Sequence, residues 1–273
     1  MINVLYAGNY KVYDGILLSI MSMVRHCKAP LNIFILTADL TDIDSGFKPI
    51  GHREASLLDE YVKNVNPESS VQLIYLMNDF AEWVKRSINK DNRYTPFMFL
   101  RLFADNMDEL PSKIIYLDSD IMFNGDIAEL FGYDIAKYEM GVVLDRYGSM
   151  WIRPGYFNSG VLLLNLEKIK ETKLFAKVRD VCRLKRMKFP DQSALNKCAK
   201  HILYLDRKFN EQGNLKADTI IQHFSKRIVW FPYIHTRNIK QYHISDVHNK
   251  LKCFAYDDIY DEYYRIKLRK NEP

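Results

Sequence analysis

Residues 114–120 read Ile-Ile-Tyr-Leu-Asp-Ser-Asp, an apolar run that ends in two aspartates. A continuous apolar run is typical of a strand that is buried on both faces, as in a mainly parallel sheet. Side chains two residues apart leave a strand on the same face, so Asp118 and Asp120 can reach one cation. Open α/β sheets bind ligands where the strands end, and carboxylate pairs suit Mg²⁺ or Mn²⁺. The alternative is that both aspartates cap the following turn in water.

Similar apolar runs recur along the chain and predict further strands. They are Ile2–Ala7, Leu31–Thr37, Val71–Leu76, Lys113–Leu117, Met140–Leu144, Gly160–Asn165 and Thr219–His223. Helical patterns separate the early runs: one starts at Asp14 as N-cap and ends near Cys27, and others cover Ala55–Val65 and Phe97–Met107. A long amphipathic helix is predicted over Glu167–Lys188. This alternation indicates an α/β fold in a single domain, residues 1–248, with a helical appendage at 249–273.

The composition is that of a globular chain, with 273 residues, 48% hydrophobic and 27% charged. The charge is unevenly distributed, since residues 1–150 carry 14 Lys/Arg and 21 Asp/Glu and residues 151–273 carry 25 and 13. An acidic half followed by a basic half suggests metal binding in the first and anion or membrane binding in the second. No aromatic and basic motif of a known nucleic-acid module accompanies the basic half, so we expect no nucleic-acid partner.

Several classes of protein are excluded. No apolar stretch approaches the roughly 20 residues of a membrane-spanning helix. The N-terminus passes directly into a predicted strand, so we expect no signal peptide. The four cysteines are scattered, which indicates reduced thiols in the cytoplasm rather than a disulfide framework or a zinc site.

Three further polar positions are candidates for chemistry. Asn158-Ser159-Gly160 precedes a buried strand and offers polar groups to a polyhydroxy ligand, although a turn would use the same residues. Pro190-Asp191-Gln192 opens a helical run, where the aspartate is alternatively an N-cap. His223 closes an apolar run and is either a core histidine or a third metal ligand.

The C-terminal segment 249–273 combines aromatic residues with a basic end, Tyr263–Lys270, that contains four basic residues. One interpretation is a helix that lies on an anionic membrane surface. The other is a helix that packs its aromatic stripe against the domain and leaves the basic end in solvent.

In their order along the chain, Tyr116–Asp120, Phe157–Asn165 and Asp191-Gln192 resemble the motifs of glycosyltransferase family 8. This is a retaining family that includes bacterial lipopolysaccharide galactosyltransferases and glycogenin. The resemblance extends from about Asn3 to His243. It implies the GT-A type nucleotide-sugar-binding fold, a UDP-sugar donor and Mn²⁺, with Mg²⁺ as the alternative ion.

The resemblance also implies roles for individual residues. The expected metal ligands are Asp118, Asp120 and His223. The other residues expected to bind the donor are Ala7, Asn9, Lys11, Arg101, Ser119, Asn158, Ser159 and Lys240. The residues expected at the reaction centre are Asp145, Asp191 and Gln192.

One segment departs from the family pattern. The family commonly ends in HxxGxxKPW, whose glycine and lysine close over the diphosphate. Here His223-Phe-Ser-Lys-Arg lacks that spacing, and Lys240-Gln-Tyr242 follows after a longer loop. We assign the phosphate contact to Lys240, with Lys226 as the alternative.

The resemblance implies transfer of a hexose, glucose or galactose, from its UDP-sugar to a glycan, glycolipid or glycoprotein acceptor in bacterial surface-glycan synthesis. Such an enzyme would be cytoplasmic, with peripheral contact at the inner face of the membrane. Retention of the anomeric configuration is compatible with double displacement through Gln192, Asp191 or Asp145, or with front-face attack by the acceptor. We favour front-face attack because no unambiguous nucleophile stands out. Two other classes stay open: a sugar-nucleotide-binding protein without turnover, and a Mg²⁺-dependent phosphohydrolase with an Asp-x-Asp pair.

Overall fold

The computed structural model describes residues 1–76, 78–89, 95–229, 233 and 235–270. The strands are β1 (Ile2–Ala7), β2 (Leu31–Thr37), β3 (Ser70–Tyr75), β4 (Lys113–Leu117), β5 (Ile121–Phe123), β6 (Met140–Leu144), β7 (Phe157–Asn165), β8 (Ile202–Tyr204), β9 (Ile221–His223), β10 (Arg227–Val229) and β11 (His235–Arg237). The predicted runs therefore form strands with bounds that differ by a few residues at most.

The central sheet has seven strands in the order β3-β2-β1-β4-β7-β6-β8. Strands β3, β2, β1 and β4 are parallel, whereas β7 runs antiparallel to both β4 and β6. Two short antiparallel pairs, β5 with β9 and β10 with β11, lie outside this sheet. The prediction of an α/β fold with a mainly parallel central sheet is confirmed.

Helices cover both faces of the sheet. They are α1 (Tyr13–His26), α2 (His52–Val65), α3 (Asn78–Lys85), α4 (Ala128–Phe131), α5 (Gly148–Trp151), α6 (Leu166–Thr172), α7 (Leu174–Leu184), α8 (Pro190–Cys198), α9 (Ile244–Leu251) and α10 (Asp257–Lys270). Alternate residues of β1 enter different cores: Val4 packs with α1 and α2, and Leu5 packs with α7 and α8. This burial on two faces explains the continuous apolar runs of the sequence.

Three local predictions were wrong. Glu167–Lys188 is not one helix, because Lys173 adopts a left-handed conformation (φ 56°) and separates α6 from α7. The predicted helix Phe97–Met107 is a 3-10 helix over Pro96–Asn106. Asp14 lies in the first turn of α1 rather than at its N-cap, which is Val12, because a preceding 3-10 turn already leads the chain into the helix.

The C-terminal helix α10 packs its aromatic stripe against the domain. Tyr260 and Tyr263 of α10, and Tyr256 directly before it, are at most 4% exposed and belong to the core formed with α1. The ammonium of Lys267 lies 2.8 Å from a carboxylate oxygen of Asp14 on α1. The aromatic face is thus occupied by protein, and membrane contact through the basic end stays a prediction. Among the helices within the described ranges, none has the length and apolar character needed to cross a bilayer.

Candidate active site

The topology brings distant motifs to one edge of the sheet. Leu117 at the end of β4 pairs with Tyr6 of β1 and with Val161 of β7. The Asp118 amide donates to the Gly160 carbonyl at 2.8 Å, so the Asp-x-Asp segment lies beside the start of β7. On the other side, β5 pairs with β9, which places Ile121 opposite His223. The two aspartates and the histidine, about a hundred residues apart, are therefore neighbours.

Asp118, Asp120 and His223 form a group that could hold a metal ion. One ligand atom from each side chain lies within 4.8 Å of the others. The His223 Nε2 is 3.2 Å from Asp120 Oδ1 and 4.0 Å from Asp118 Oδ2. Two carboxylate oxygens and one imidazole nitrogen are suitable donors for Mn²⁺ or Mg²⁺ and leave positions open for a substrate. The predicted ligand set is thus brought together, and the identity of the ion stays a prediction.

A chain of hydrogen bonds orients His223. The Asp145 carboxylate accepts from Asn158 Nδ2 at 3.2 Å, and Asn158 Oδ1 accepts from Asn210 Nδ2 at 3.0 Å. Asn210 Oδ1 therefore faces His223 Nδ1, also at 3.0 Å, and must accept its proton. With Nδ1 bound to Asn210, Nε2 is the ring nitrogen that faces the two aspartates, as in a metal-ligating histidine whose other ring nitrogen makes a hydrogen bond.

Lys240 closes the other side of Asp120. Its ammonium contacts the carboxylate of Asp120, while Lys226 is exposed. Burial opposes ionisation of Asp120, but the charges of Lys240 and His223 outweigh burial and hold the pKa of this carboxyl well below its usual range. Burial likewise lowers the pKa of Lys240, and Asp120 reverses that effect and raises it. Both groups are thus charged at neutral pH.

Arg101 is a buried cation, 3% exposed, that links three motifs. Its guanidinium forms an ion pair with Asp191, lies 3.2 Å from Asp118 Oδ1, and donates to the Ser159 carbonyl at 2.6 Å. The ring of Tyr116 lies 4.6 Å from the guanidinium carbon. Arg101 therefore fixes Asp118, Asp191 and Ser159 relative to one another and has few donors left for a ligand.

A second cluster lies around Gln192. Its Nε2 donates to Asp145 Oδ2 at 3.2 Å, and its Oε1 accepts from the Ser159 amide, also at 3.2 Å. The other Asp145 oxygen accepts from the Gly148 amide at 2.6 Å. The structure thus brings together the residues predicted around the reaction centre, with Asp191 turned to Arg101.

Ala7, Asn9 and Lys11 at the end of β1 and just after it were expected to bind the donor, and they differ in their burial. Ala7 ends β1 beside the Asp-x-Asp segment, and Asn9 is 2% exposed, with no hydrogen-bond partner for its Nδ2 among the described residues. An unpaired buried amide is costly and indicates a ligand oxygen. Lys11 instead is exposed, with its ammonium 5.9 Å from the centre of the Phe47 ring. The donor contacts of all three residues stay predictions.

Several site residues were missed in the sequence. Asn210 and Gln241 carry no local signal, and Gln241 Nε2 donates to the Ser119 carbonyl at 2.6 Å. Tyr116 had a signal, because it precedes the aspartates by two residues on the same strand face; its hydroxyl donates to Asp118 at 2.7 Å. Gly160 was predicted only as part of the motif Asn158-Ser159-Gly160. A Cβ there would lie 2.3 Å from His223 Cε1 and 2.9 Å from Asp118 Oδ2.

The sequence is similar to those of known glycosyltransferases. The model of glycosyl transferase family 8 matches residues 3–235. A lipopolysaccharide 1,2-glucosyltransferase of Escherichia coli K12 is 31% identical over 135 residues, which are 44% of this chain and 40% of that protein. A lipopolysaccharide 1,3-galactosyltransferase of Salmonella typhimurium LT2 is 26% identical over 171 residues, 55% and 50% of the two chains. The chain thus spans half or less of the length of these relatives.

Solved structures share the fold. The glycosyltransferase GlyE of Streptococcus pneumoniae TIGR4 aligns with a TM-score of 0.67 and 20% identity, over 98% of this chain and 65% of that one. The galactosyltransferase LgtC, in complex with donor and acceptor sugar analogs, aligns with a TM-score of 0.65 and 15% identity, over 97% and 96%. The fold is therefore of the GT-A type, and the family match covers most of the chain. This chain belongs to glycosyl transferase family 8.

Proposed function

We propose that this chain transfers glucose or galactose from a UDP-sugar to a glycan, glycolipid or glycoprotein acceptor in bacterial surface-glycan synthesis. The observation that carries the proposal is the convergence of Asp118, Asp120 and His223 within 4.8 Å, beside Lys240. Relatives that are named lipopolysaccharide glucosyl- and galactosyltransferases support the hexose and the bacterial glycan. We also propose a cytoplasmic location, with peripheral contact at the inner face of the membrane.

In this proposal the metal site and Lys240 hold the diphosphate. A bound divalent cation, Mn²⁺ or Mg²⁺, would neutralise the charge that develops on the diphosphate as UDP leaves. Asp118, Asp120 and His223 are the protein ligands, and Ser119 places its backbone between them. Lys240 would exchange its contact with Asp120 for a phosphate oxygen, because Asp120 then has the cation as its partner.

Uridine would bind at the end of β1. The buried Nδ2 of Asn9, which has no partner among the described residues, is the expected donor to a uracil carbonyl. Ala7 leaves room for the ring beside it, and Lys11, although exposed, lies on the same loop. The hexose would then meet Asn158, Ser159 and Gln192 at the start of β7 and α8.

We favour front-face attack for the transfer. Asp191 is bound to the buried Arg101, so its carboxylate is not aimed at a sugar. Asp145 accepts hydrogen bonds from the side chains of Asn158 and Gln192, which makes it an orienting group for amides that face the hexose. In this route the acceptor hydroxyl attacks the anomeric carbon on the side from which UDP departs, and its proton passes to a phosphate oxygen of UDP.

The role of Asp191 leads to a stability prediction. Asp191→Asn leaves Arg101 buried with one counter-ion fewer, so we expect unfolding free energy to fall by about 3 kcal/mol. Urea unfolding measures this loss. The matched control is Asp180→Asn, whose carboxylate is 66% exposed and pairs with Arg183, and it should change stability by less than about 0.5 kcal/mol. If Asp191→Asn abolishes turnover at unchanged stability, Asp191 is a catalytic group instead.

The contact of Lys240 with Asp120 leads to a binding prediction. Lys240→Met removes an ammonium that competes with the cation, so apo protein should bind Mn²⁺ at least about threefold more tightly. With Mn²⁺ present, UDP should bind about tenfold more weakly, because one charge-assisted hydrogen bond is lost. Calorimetric titration measures both affinities. The exposed Lys226→Met is the control, and a loss of UDP affinity there alone would assign the phosphate contact to Lys226.

The proposed function is tested by UDP release. Purified protein is incubated with UDP-glucose and UDP-galactose, with Mn²⁺ or with EDTA, and UDP is measured. We expect Mn²⁺-dependent release from at least one donor. Tight UDP binding without release under any acceptor would indicate a binding protein without turnover.

A further inference from the structure

Six basic side chains line a cavity of about 570 Å³ at the end of β6. They come from six separate positions along the chain: Arg146, Arg207, Lys216, Arg227, Arg237 and Lys250. Among the described residues that line the cavity, none is acidic. Like charges gathered in a concave surface create a positive potential that attracts an anionic ligand.

The protein itself neutralises only part of this charge. The buried carboxylate of Glu211 lies 2.6 Å from Arg207 and 3.6 Å from Lys216, and Lys250 pairs with Asp246 at 2.8 Å. The arginines at 146, 227 and 237 form no ion pair with any carboxylate in the part of the chain that the structure describes.

Arg227 and Arg237 make hydrogen bonds to neutral groups, which are weaker than ion pairs. Arg227 donates to the Asn214 side chain at 3.1 Å, and Arg237 donates to the Lys250 carbonyl at 3.3 Å. Both guanidinium groups are partly buried, and burial lowers the pKa of Arg227, which reflects the cost of a desolvated cation. These arginines therefore keep donors for an anion.

The cavity is joined to the candidate active site. Arg146 and Tyr147 directly follow Asp145, so the cavity wall begins within one residue, about 4 Å along the chain, of the cluster around Gln192. Gln212 holds this segment, since its side chain accepts from the Arg146 amide at 3.0 Å and donates to the Leu144 carbonyl at 3.1 Å.

The opposite wall is tied to the metal site. The Glu211 carbonyl, two residues before Gly213 in the cavity wall, accepts from the His223 amide at 3.0 Å. Both walls of the cavity are thus connected through the backbone to residues of the candidate active site.

We propose that this cavity is the acceptor subsite and binds the phosphate groups of a phosphate-bearing glycan; this rests on the proposed transferase function. One guanidinium group can donate two parallel hydrogen bonds to two phosphate oxygens, and the guanidinium groups of Arg146, Arg227 and Arg237 converge on this cavity. The ring of Tyr147, held by stacking against Trp151 at 5.4 Å, supplies an aromatic wall for a sugar. A concave site next to Asp145 suits a glycan better than a flat lipid surface.

The test measures binding of glucose 1,6-bisphosphate, with glucose as the uncharged comparison, by calorimetry without divalent cations. We expect the bisphosphate to bind more tightly at low salt than at high salt. Arg227→Gln/Arg237→Gln should weaken bisphosphate binding at least tenfold. The matched control Arg53→Gln/Arg86→Gln removes the same charge from two residues outside the cavity lining and should leave binding unchanged. If the arginine pair is needed for folding, the exposed Lys216→Gln/Lys250→Gln pair should still weaken binding about threefold.

Three results would overturn the subsite. The first is that the protein shows no preference for the bisphosphate over glucose. The second is that the Arg227→Gln/Arg237→Gln variant and the wild type bind the bisphosphate with equal affinity. The third is that this variant loses binding to phosphatidylglycerol vesicles but keeps its bisphosphate affinity. The last result would make the cavity a membrane contact. Failure of the proposed function is separate, because wild-type protein would then bind the bisphosphate but release no UDP from a UDP-hexose with Mn²⁺.

Discussion

Asp120→Asn should lower the rate of UDP release from a UDP-hexose by at least about a thousandfold. The change removes one charged ligand from the group formed with Asp118 and His223. It also leaves Lys240 without the carboxylate that it contacts, so the ammonium is free to repel a cation. The rate is measured at saturating donor with Mn²⁺, and calorimetry checks that Mn²⁺ affinity falls in parallel.

The matched control for this change is Asp108→Asn. The Asp108 side chain is fully exposed and, among the described residues, its only ion pair is with Lys170 at 3.4 Å, so its variant should keep wild-type rates. A folded Asp120→Asn variant that retains wild-type turnover would contradict the metal-centred account of the site.

Gly160→Ala should lower Mn²⁺ affinity and turnover by about a hundredfold, because small displacements of reacting groups are costly. The added methyl group would lie 2.3 Å from His223 Cε1 and 2.9 Å from Asp118 Oδ2, so at least one ligand must move. The backbone of Gly160 lies within β7 in an ordinary strand conformation, which makes the effect steric. Overpacking should also cost about 1–3 kcal/mol of stability.

The matched control is Gly141→Ala in β6 of the same sheet. Its Cβ would lie 2.9 Å from Leu205 Cδ1, away from the metal group. We expect a similar loss of stability with unchanged Mn²⁺ affinity of the folded protein. Equal Mn²⁺ affinity in Gly160→Ala and wild type would show that Gly160 does not shape the site.

The fold was predictable where local pattern and burial agree. Strands such as β1 and β4 are buried on both faces, so their apolar runs could be recognised directly. The break between α6 and α7 could not, because it depends on Lys173 adopting a left-handed conformation that no glycine or proline signals. The 3-10 helix over 96–106 was also missed, since its apolar pattern is compatible with an α-helix.

The site, like the fold, was predictable where a local sequence pattern marks a residue and not where contacts between distant segments place it. Asp118 and Asp120 were indicated by their position directly after the apolar run of β4, although they lie in the turn between β4 and β5 and not in a strand. His223 needed the family resemblance because β5 and β9 pair across about a hundred residues. Asn210 and Gln241 act through side-chain contacts between distant segments, which periodicity does not record. The basic cavity explains part of the uneven charge that the sequence already showed, but only the fold brings its six cations together.

The most direct test of the central claim follows the anomeric carbon of the donor. Wild-type protein is incubated with Mn²⁺ and UDP-glucose or UDP-galactose labelled with ¹³C at C1, with a glycan acceptor or with water as the acceptor, and the first product is observed by NMR before any free hexose mutarotates. The account predicts UDP release together with an α-configured hexose product, and no product in Asp120→Asn. A β-configured first product would contradict retention, and no product from either donor would contradict hexosyl transfer.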